Sequence, residues 1–162
     1  MPSSSHGALH RAAKTMPRTT SLGYQVNHLA RLMETALRVR IAPHGVAPGQ
    51  FAQLLALYER DGISQAELCK AVHIDQSTMA LTLRRMERDD LVSRLPSTQD
   101  RRRTDIWLTD RARNLEATLV TCARDTNGVA TEGISEADLA VTHRVLAQMI
   151  QNLSPHDEGT TP

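Results

Sequence analysis

SQAELCKAVHIDQSTMALTLRRMERDDLVSRLPSTQDRRRTDIWLT, residues 64–109, contains two short helical patterns followed by two strand-like runs. Three residues separate the helical patterns, and a polar loop carrying Arg101, Arg102 and Arg103 joins the strand-like runs. A helix, a turn, a second helix and a hairpin tipped with arginines together predict a winged helix-turn-helix. In that architecture one helix enters a DNA groove and the charged hairpin lies beside it.

Capping residues indicate where these elements begin. Ser64 and Glu67 have the spacing of a capping box, in which each side chain accepts a backbone N–H of the other residue. Asp75 is placed to cap the next helix, whose apolar residues recur at helical spacing. Residues 91–95 alternate in the manner of a strand that Pro96 should stop, and residues 104–108 form the returning strand.

Longer amphipathic helices are predicted on both sides of this unit. The first begins after Ser21 and carries a single apolar stripe of Leu22, Val26, Leu29, Met33, Leu37 and Ile41. A second helix starts at Pro48, a fifth after Thr109 and a sixth after Ser135. The stripes of the first, fifth and sixth helices are longer than the winged unit can cover. Apolar faces of that extent usually indicate a partner, and a two-fold dimer is the simplest one.

The fold class expected is therefore mostly α, a winged helix-turn-helix with flanking dimerisation helices and a small β-hairpin wing. The expected division is a disordered arm over residues 1–20, a dimerisation region over 21–45 and 110–153, a DNA-binding domain over 46–109 and a polar tail over 154–162. Arm and tail are assigned from their polar, Ser-, Thr- and Pro-containing composition.

Composition excludes several other classes. The hydrophobic fraction of 40% fits a globular chain, and a net charge of +1 favours no particular partner. All basic residues except Lys14 and Lys70 are arginine, which suits phosphate recognition but is equally expected of a GC-rich genome. No signal peptide or membrane-length apolar run occurs, so a cytoplasmic location is expected. Without a metal-ligand pattern or a catalytic motif, we expect no enzyme activity, metal or cofactor.

Several short segments resemble the MarR (multiple antibiotic resistance regulator) family of transcription factors over about residues 21–152. The segments are residues 46–57 (VAPGQFAQLLAL), 63–68 (ISQAEL), 75–78 (DQST), 91–92 (LV), 100–102 (DRR) and 108–109 (LT). The resemblance implies a homodimer, with the fourth helix in the major groove and the wing in the adjacent minor groove. It also implies a repressor that small aromatic acids release from DNA.

The sequence departs from the family pattern at three places: Asp90, Leu81 and residues 108–113, where LTDRAR replaces the common LTEAGR and adds a charge at the start of the fifth helix. Asp90 stands where the family usually has glycine, and Asp tolerates the left-handed backbone better than most residues. Leu81 occupies a slot of the fourth helix in which relatives often carry arginine. The bases that this helix reads therefore cannot be transferred from relatives.

The residues expected to touch DNA lie on the fourth helix and in the wing. Polar side chains near the start of a recognition helix suit base edges, and arginines in a hairpin suit phosphates. An acid beside Arg102 can orient its guanidinium, leaving Arg101 and Arg103 for phosphates. The expected set is Gln76, Ser77, Thr78, Thr82, Arg84, Arg85, Asp100, Arg101, Arg102 and Arg103. The alternative is an ordinary solvated face, or a winged fold that binds protein instead of DNA.

A polar stripe on the first helix is the candidate effector site. Tyr24, His28 and Arg31 lie along it, and His44 and Phe51 are expected nearby. An aromatic ring, an imidazole and a cation together suit a small aromatic carboxylate, and similarity to regulators of pyridine catabolism favours a nicotinate-type acid. Ordinary surface or dimer-interface polarity explains the stripe equally. A thiol redox sensor that uses Cys69 or Cys122 is a further alternative, although burial as small apolar residues suits both cysteines better.

Overall fold

Nine regular elements follow one another in the computed structural model, which describes residues 17–97 and 103–154. They are α1 (Leu22–Ile41), α2 (Pro48–Glu59), β1 (Ile63–Ser64), α3 (Gln65–Val72), α4 (Gln76–Arg88), β2 (Val92–Pro96), β3 (Thr104–Leu108), α5 (Asp110–Ala130) and α6 (Glu136–Leu153). The mostly helical winged helix-turn-helix class expected from the sequence is confirmed. A short 3-10 turn, Arg18–Thr20, lies within the segment expected to be a disordered arm, and the rest of that arm lies outside the described residues.

Side-chain caps fix the helix starts as the sequence predicts. The Ser64 hydroxyl accepts the Glu67 N–H at 3.2 Å, and a Glu67 carboxylate oxygen accepts the Ser64 N–H at 2.9 Å. Thr109 caps α5 and Ser135 caps α6 in the same way, with distances of 3.1 Å each. These bonds satisfy backbone N–H groups that have no partner inside a helix.

A small antiparallel sheet supports the wing, with strand order β1–β3–β2. The sequence predicts only the hairpin, but Ile63 also pairs with Ile106 and adds the third strand β1. Pro96, which should stop β2, is its last residue and pairs with Thr104. A proline is accepted there because β2 is an edge strand, where a missing N–H breaks no ladder on the outer side.

Most of the hydrophobic core lies in the winged unit, and Ile41 of α1 and Ala112 and Leu119 of α5 join it. The fully buried side chains of the winged unit come from α2, α3, α4, β3 and the residue just before β2: Leu54, Leu57, Leu68, Met79, Leu83, Met86, Ile106 and Leu91. Each such side chain contributes about 1.5–3 kcal/mol relative to exposure. Val72 of α3 is half-buried and packs against this core.

Gly62, between α2 and β1, is required by its surroundings. Its φ is +67°, in the left-handed region that favours glycine. A Cβ at this position would lie 2.5 Å from two ring atoms of Trp107. The Trp107 ring on β3 therefore packs directly over the Gly62 backbone.

Helix α5 is tied to the winged unit by polar contacts. The Arg111 guanidinium donates to the backbone carbonyls of His44, at 2.8 Å, and of Asp89, at 2.9 Å. The Tyr58 hydroxyl donates to the Ala112 carbonyl at 2.8 Å. Burial first, and then the nearby Glu116 carboxylate, raise the pKa of Tyr58 to about 12. One guanidinium thus links the turn after α1 to the end of α4.

Helices α1 and α6, in contrast, leave most of their apolar side chains open. On α1, Leu22, Val26 and Leu29 are exposed, and only Ile41 at the far end is buried. No residue of α6 is buried, and Ile150 and Leu153 are 62% and 86% exposed. None of the described helices combines the length and the apolar character needed to cross a membrane.

Candidate nucleic-acid interface

A three-residue turn sets the position of α4. It contains His73, which adopts the left-handed conformation with φ of 55° and ends α3. Asp75 then begins α4: its carboxylate accepts the Thr78 N–H at 2.9 Å and the Thr78 hydroxyl at 2.6 Å. These two bonds from Thr78, hydroxyl first, hold the pKa of the Asp75 carboxyl below its usual range. The N-terminus of α4 is thus fixed by a charged cap.

The outward face of α4 lies opposite the side chains that the helix buries. Met79, Leu83 and Met86 are fully buried. At 100° per residue, the positions diametrically opposite are those of Ser77, Leu81, Arg84 and Arg88. All four side chains are exposed. Gln76 and Thr82 lie nearer the buried side of the helix, and Thr78 and Arg85 lie to one side of the centre of the outward face.

Some of the predicted base-reading groups already have partners. The Gln76 side-chain carbonyl accepts from the Gln65 amide at 2.9 Å. The Thr78 hydroxyl donates to Asp75, and the Thr82 hydroxyl donates to the Thr78 carbonyl at 3.0 Å. These hydroxyls keep their acceptor lone pairs, and Gln76 keeps its amide protons. Fewer hydrogen-bonding groups of this helix are therefore available to read DNA bases than the residue types suggest.

Arg84 and Arg85 are the free cations of the helix. Both are exposed, and within residues 17–97 and 103–154 neither guanidinium has a carboxylate within salt-bridge distance. Arg88, one turn further on, is paired with Asp89 at 3.0 Å. Unpaired arginines beside an outward helical face are suited to phosphates.

At the base of the wing, Arg103 is held by the protein itself. Its Nε donates to Asp105 at 2.8 Å, and its terminal nitrogen donates to Glu67 of α3. The bond to Asp105 and the Glu67 charge raise the pKa of Arg103. Two carboxylates thus take two of the five N–H groups of this guanidinium, which leaves fewer donors for the phosphate contact expected of Arg103. Asp100, Arg101 and Arg102 lie outside the described residues.

Arg94 is a residue of this region that the sequence did not single out. It lies on β2, is only partly exposed, and its Nε is 3.2 Å from the Glu87 carboxylate of α4. The pair ties the wing strand to the recognition helix. Strand alternation puts Arg94 on the same face of β2 as the buried Val92, and this is the sequence feature that could have pointed to its contact with α4.

The five candidate effector residues do not gather at one place. Tyr24 and His28 are in contact, with ring centroids 5.9 Å apart, and Arg31 follows on the same face. His44 lies beyond the other end of α1, which at 1.5 Å per residue is roughly 30 Å away. Phe51 is 7% exposed and belongs to the core. His44 and Phe51 are therefore separated from the Tyr24 stripe.

The cysteines have the environments of packing residues. Cys69 is buried, and burial first, then the Asp75 charge, raise the pKa of its thiol. Cys122 is half-buried, with its Sγ 3.6 Å from the Arg40 carbonyl. Reactive cysteines need a lowered pKa and access to solvent. In the described part of the chain, no three His, Cys, Asp or Glu side chains are grouped to hold a metal.

Comparison with known proteins places this geometry among transcription regulators. Residues 46–104 match the family model described as MarR family. The chain is 30% identical over 103 residues to the HTH-type transcriptional repressor NicR of Pseudomonas putida, a match covering 64% of this chain and 65% of that protein. A MarR transcriptional regulator of Methanosarcina mazei superposes with a TM-score of 0.73 at 26% identity, over 80% of this chain and 94% of the other.

Two further solved structures share the fold and hold ligands. A putative MarR family regulator from Listeria monocytogenes, complexed with a 26mer DNA, has a TM-score of 0.74 at 20% identity, over 82% of this chain and 88% of the other. CouR from Rhodococcus jostii, bound to p-coumaroyl-CoA, has a TM-score of 0.73 at 17% identity, over 90% and 100% of the two chains. At these identities the likeness is one of fold.

Proposed function

We propose that this chain, which belongs to the MarR family of transcription regulators, is a cytoplasmic homodimeric repressor released from its operator by a small aromatic carboxylic acid. MarR regulators bind DNA, and the outward face of α4 is the observation that carries the proposal here. Ser77, Arg84 and Arg85 are exposed on or beside that face, and both arginines lack a carboxylate partner among the described residues. Asp100, Arg101 and Arg102, which the sequence assigns to the wing, are proposed to contact DNA as well.

Dimerisation is supported by the open apolar faces of α1 and α6. Between them lies a cleft of about 530 Å³ whose lining is almost entirely apolar and includes Leu22, Val26, Leu146, Met149 and Ile150. Exposed apolar surface of this extent is unfavourable in water, and a second copy would bury it. Two-fold symmetry would then place two copies of α4 about one DNA turn, ~34 Å, apart on a pseudo-palindrome.

The effector is proposed to bind along Tyr24, His28 and Arg31. The guanidinium of Arg18 lies 5.9 Å from the centre of the Tyr24 ring, so a second cation adjoins the stripe. Aromatic rings and cations together suit an aromatic carboxylate, and CouR, of the same fold, holds an aromatic acyl group. Nicotinate and related acids are the first compounds to test. The repressor sense is supported by the similarity to NicR, which is a transcriptional repressor.

DNA binding is tested by the salt dependence of affinity. Fluorescence anisotropy would be measured with a labelled duplex selected by the protein from a random pool, at several salt concentrations. Replacing Arg85 with Ala should lower the magnitude of the log–log slope by about one unit for each phosphate that the side chain neutralises. Arg124→Ala, an exposed arginine on α5, is the matched control and should leave the slope unchanged. Equal slopes for both variants would remove α4 from the interface.

Effector release is tested in the same assay. Nicotinate and benzoate would be titrated into the protein–DNA complex, with His28→Ala as the variant and His143→Ala, an exposed histidine on α6, as its control. The proposal expects His28→Ala to bind DNA normally but to need much more acid for release. Normal release by His28→Ala would return the stripe to ordinary surface polarity.

The thiol-sensor alternative has less support. The raised pKa of buried Cys69 disfavours the reactive thiolate. A double Cys69→Ala, Cys122→Ala variant should retain whatever response of DNA binding to peroxide the native protein shows. Loss of that response would instead favour a redox switch.

A further inference from the structure

Leu81 is the one large exposed apolar side chain on α4, a helix that the structure describes in full. It is 53% exposed, while Met79, Leu83 and Met86 of the same helix are fully buried. It is therefore not part of the core, and no packing of this chain requires a leucine there.

The surroundings of Leu81 argue against a protein partner at this spot. Ser77 precedes it by one turn and Arg84, Arg85 and Arg88 follow within two turns, all exposed. A single leucine among three cationic side chains is a poor centre for a protein–protein contact, whose buried core is usually depleted of charge. A surface that is cationic around one apolar group instead suits a polyanion that carries an apolar group of its own.

We infer that Leu81 is a specificity-determining residue that contacts the 5-methyl group of a thymine in the major groove. Thymine presents this methyl beside its O4 acceptor, and apolar side chains recognise it. The inference rests on the proposed function, in which α4 enters the major groove, and it names one base that this helix reads.

The state of the neighbouring groups strengthens the assignment. The Thr78 and Thr82 hydroxyls donate within the protein, and the Gln76 carbonyl already accepts from Gln65. The usual hydrogen-bonding readers are thus partly engaged at the helix start, whereas Leu81 lies at mid-face with its side chain unengaged. A thymine methyl needs no hydrogen bond and is available to it.

The test removes one methyl group from DNA at a time. A duplex selected by the wild-type protein from a random pool would be made with uracil in place of each thymine in turn, and Kd would be measured at constant salt. At one thymine in each half-site, uracil should weaken wild-type binding about fourfold, the value of one buried methyl-sized group. Substitution in both half-sites should weaken binding roughly fifteenfold, because the free-energy losses at two distant sites add.

Variants at position 81 test the protein side of the same contact. Leu81→Ala should bind thymine and uracil duplexes with equal affinity, whereas Leu95→Ala, an exposed leucine on β2, should keep the wild-type difference. Leu81→Arg should shift the selected base toward guanine, whose O6 and N7 accept a guanidinium. Because the side chain is exposed, these variants should fold as the native protein does.

The outcomes are separable. Uracil substitution that affects wild type and Leu81→Ala equally, or that affects neither, overturns the role of Leu81 while leaving DNA binding in place. Failure of the wild-type protein to select any duplex overturns the proposed function itself, and this inference with it.

Discussion

Helices α4 and α6 are both amphipathic, but they use their apolar sides differently. On α4, Met79, Leu83 and Met86 are buried inside the chain, and the outward face is mainly polar and cationic. On α6 no residue is buried, and Ile150 and Leu153 face solvent. The winged unit therefore completes its core within one chain, while the flanking helices have apolar surface that this chain does not cover.

This difference separates two kinds of stability. Burial inside the winged unit contributes to folding at any protein concentration, whereas burial between copies depends on concentration by mass action. Mutations in the two regions should therefore be distinguishable by how their effects scale with protein concentration.

The largest effect is expected from a cavity in the winged core. Leu54→Ala should lower the free energy of unfolding by about 2–5 kcal/mol, because Leu54 is fully buried. Leu146→Ala on α6 is the comparison, and its effect should appear only as a change in the concentration dependence of unfolding. Urea titrations at two protein concentrations measure both. If unfolding of the two variants shifts alike with concentration, the contrast between the regions is wrong.

Gly62→Ala should have the next largest effect. It should lower the free energy of unfolding by about 2–3 kcal/mol, because it combines a left-handed backbone with a clash against Trp107. Its control is Gly128→Ala, a glycine inside α5 whose added Cβ would meet no atom of the described chain within 4 Å. Alanine there should raise stability by about 0.5–1 kcal/mol. Thermal unfolding of the two variants in opposite directions is the expected result; a mild loss at Gly62 would mean that Trp107 moves freely.

Arg111→Ala should lower the free energy of unfolding by about 1–3 kcal/mol, because the part-buried carbonyls of His44 and Asp89 lose a charged donor. Arg124→Ala on the same helix should be nearly neutral. Because Arg111 joins the turn after α1 to the end of α4, its loss should also weaken the coupling between effector and DNA. The measurement is the fold-change in DNA affinity caused by saturating effector; an undiminished fold-change would show that coupling takes another route.

The smallest effect concerns the Asp75 cap and depends on pH. The folded-state pKa of Asp75 is lowered by the Thr78 bonds, so its stabilising contribution is present above the unfolded pKa and is lost as pH falls through the folded value. Asp75→Ala should therefore lower the melting temperature near pH 7, and the difference should shrink as pH falls below the ordinary Asp pKa of about 3.9. A difference that stays constant with pH would mean that Asp75 stabilises the helix without its charge.

Much of the helical framework could be predicted because local chemistry decides it. The capping box of Ser64 and Glu67, the Asp75 cap and the apolar spacing of Met79, Leu83 and Met86 all act within a few residues. Asp90 adopts the left-handed conformation, φ of 54°, that its position in the sequence suggested. Strand β1 was missed because two residues carry no periodicity, and only pairing with β3 makes them a strand.

The candidate site shows the same limit. Ser77, Thr78, Arg84 and Arg85 could be placed on α4 from the sequence, and the structure leaves all four exposed. That Arg103 is held by Asp105 and Glu67 could not be predicted, because Glu67 is 36 residues away in the chain. Helical spacing puts Phe51 on the core side of α2 together with Leu54 and Leu57, and the structure buries it there, away from Tyr24.

By itself, then, the sequence determined the helices, their caps, the winged order of elements and the resemblance to the MarR family, because these depend on residue types, their spacing and short-range hydrogen bonds. Only the tertiary structure decided which side chains remain available: it engaged Arg103 and separated His44 from Tyr24. It also placed Leu81 at the outward centre of α4. The physical reason is that availability depends on what distant segments supply as partners, and spacing along one helix carries no record of them.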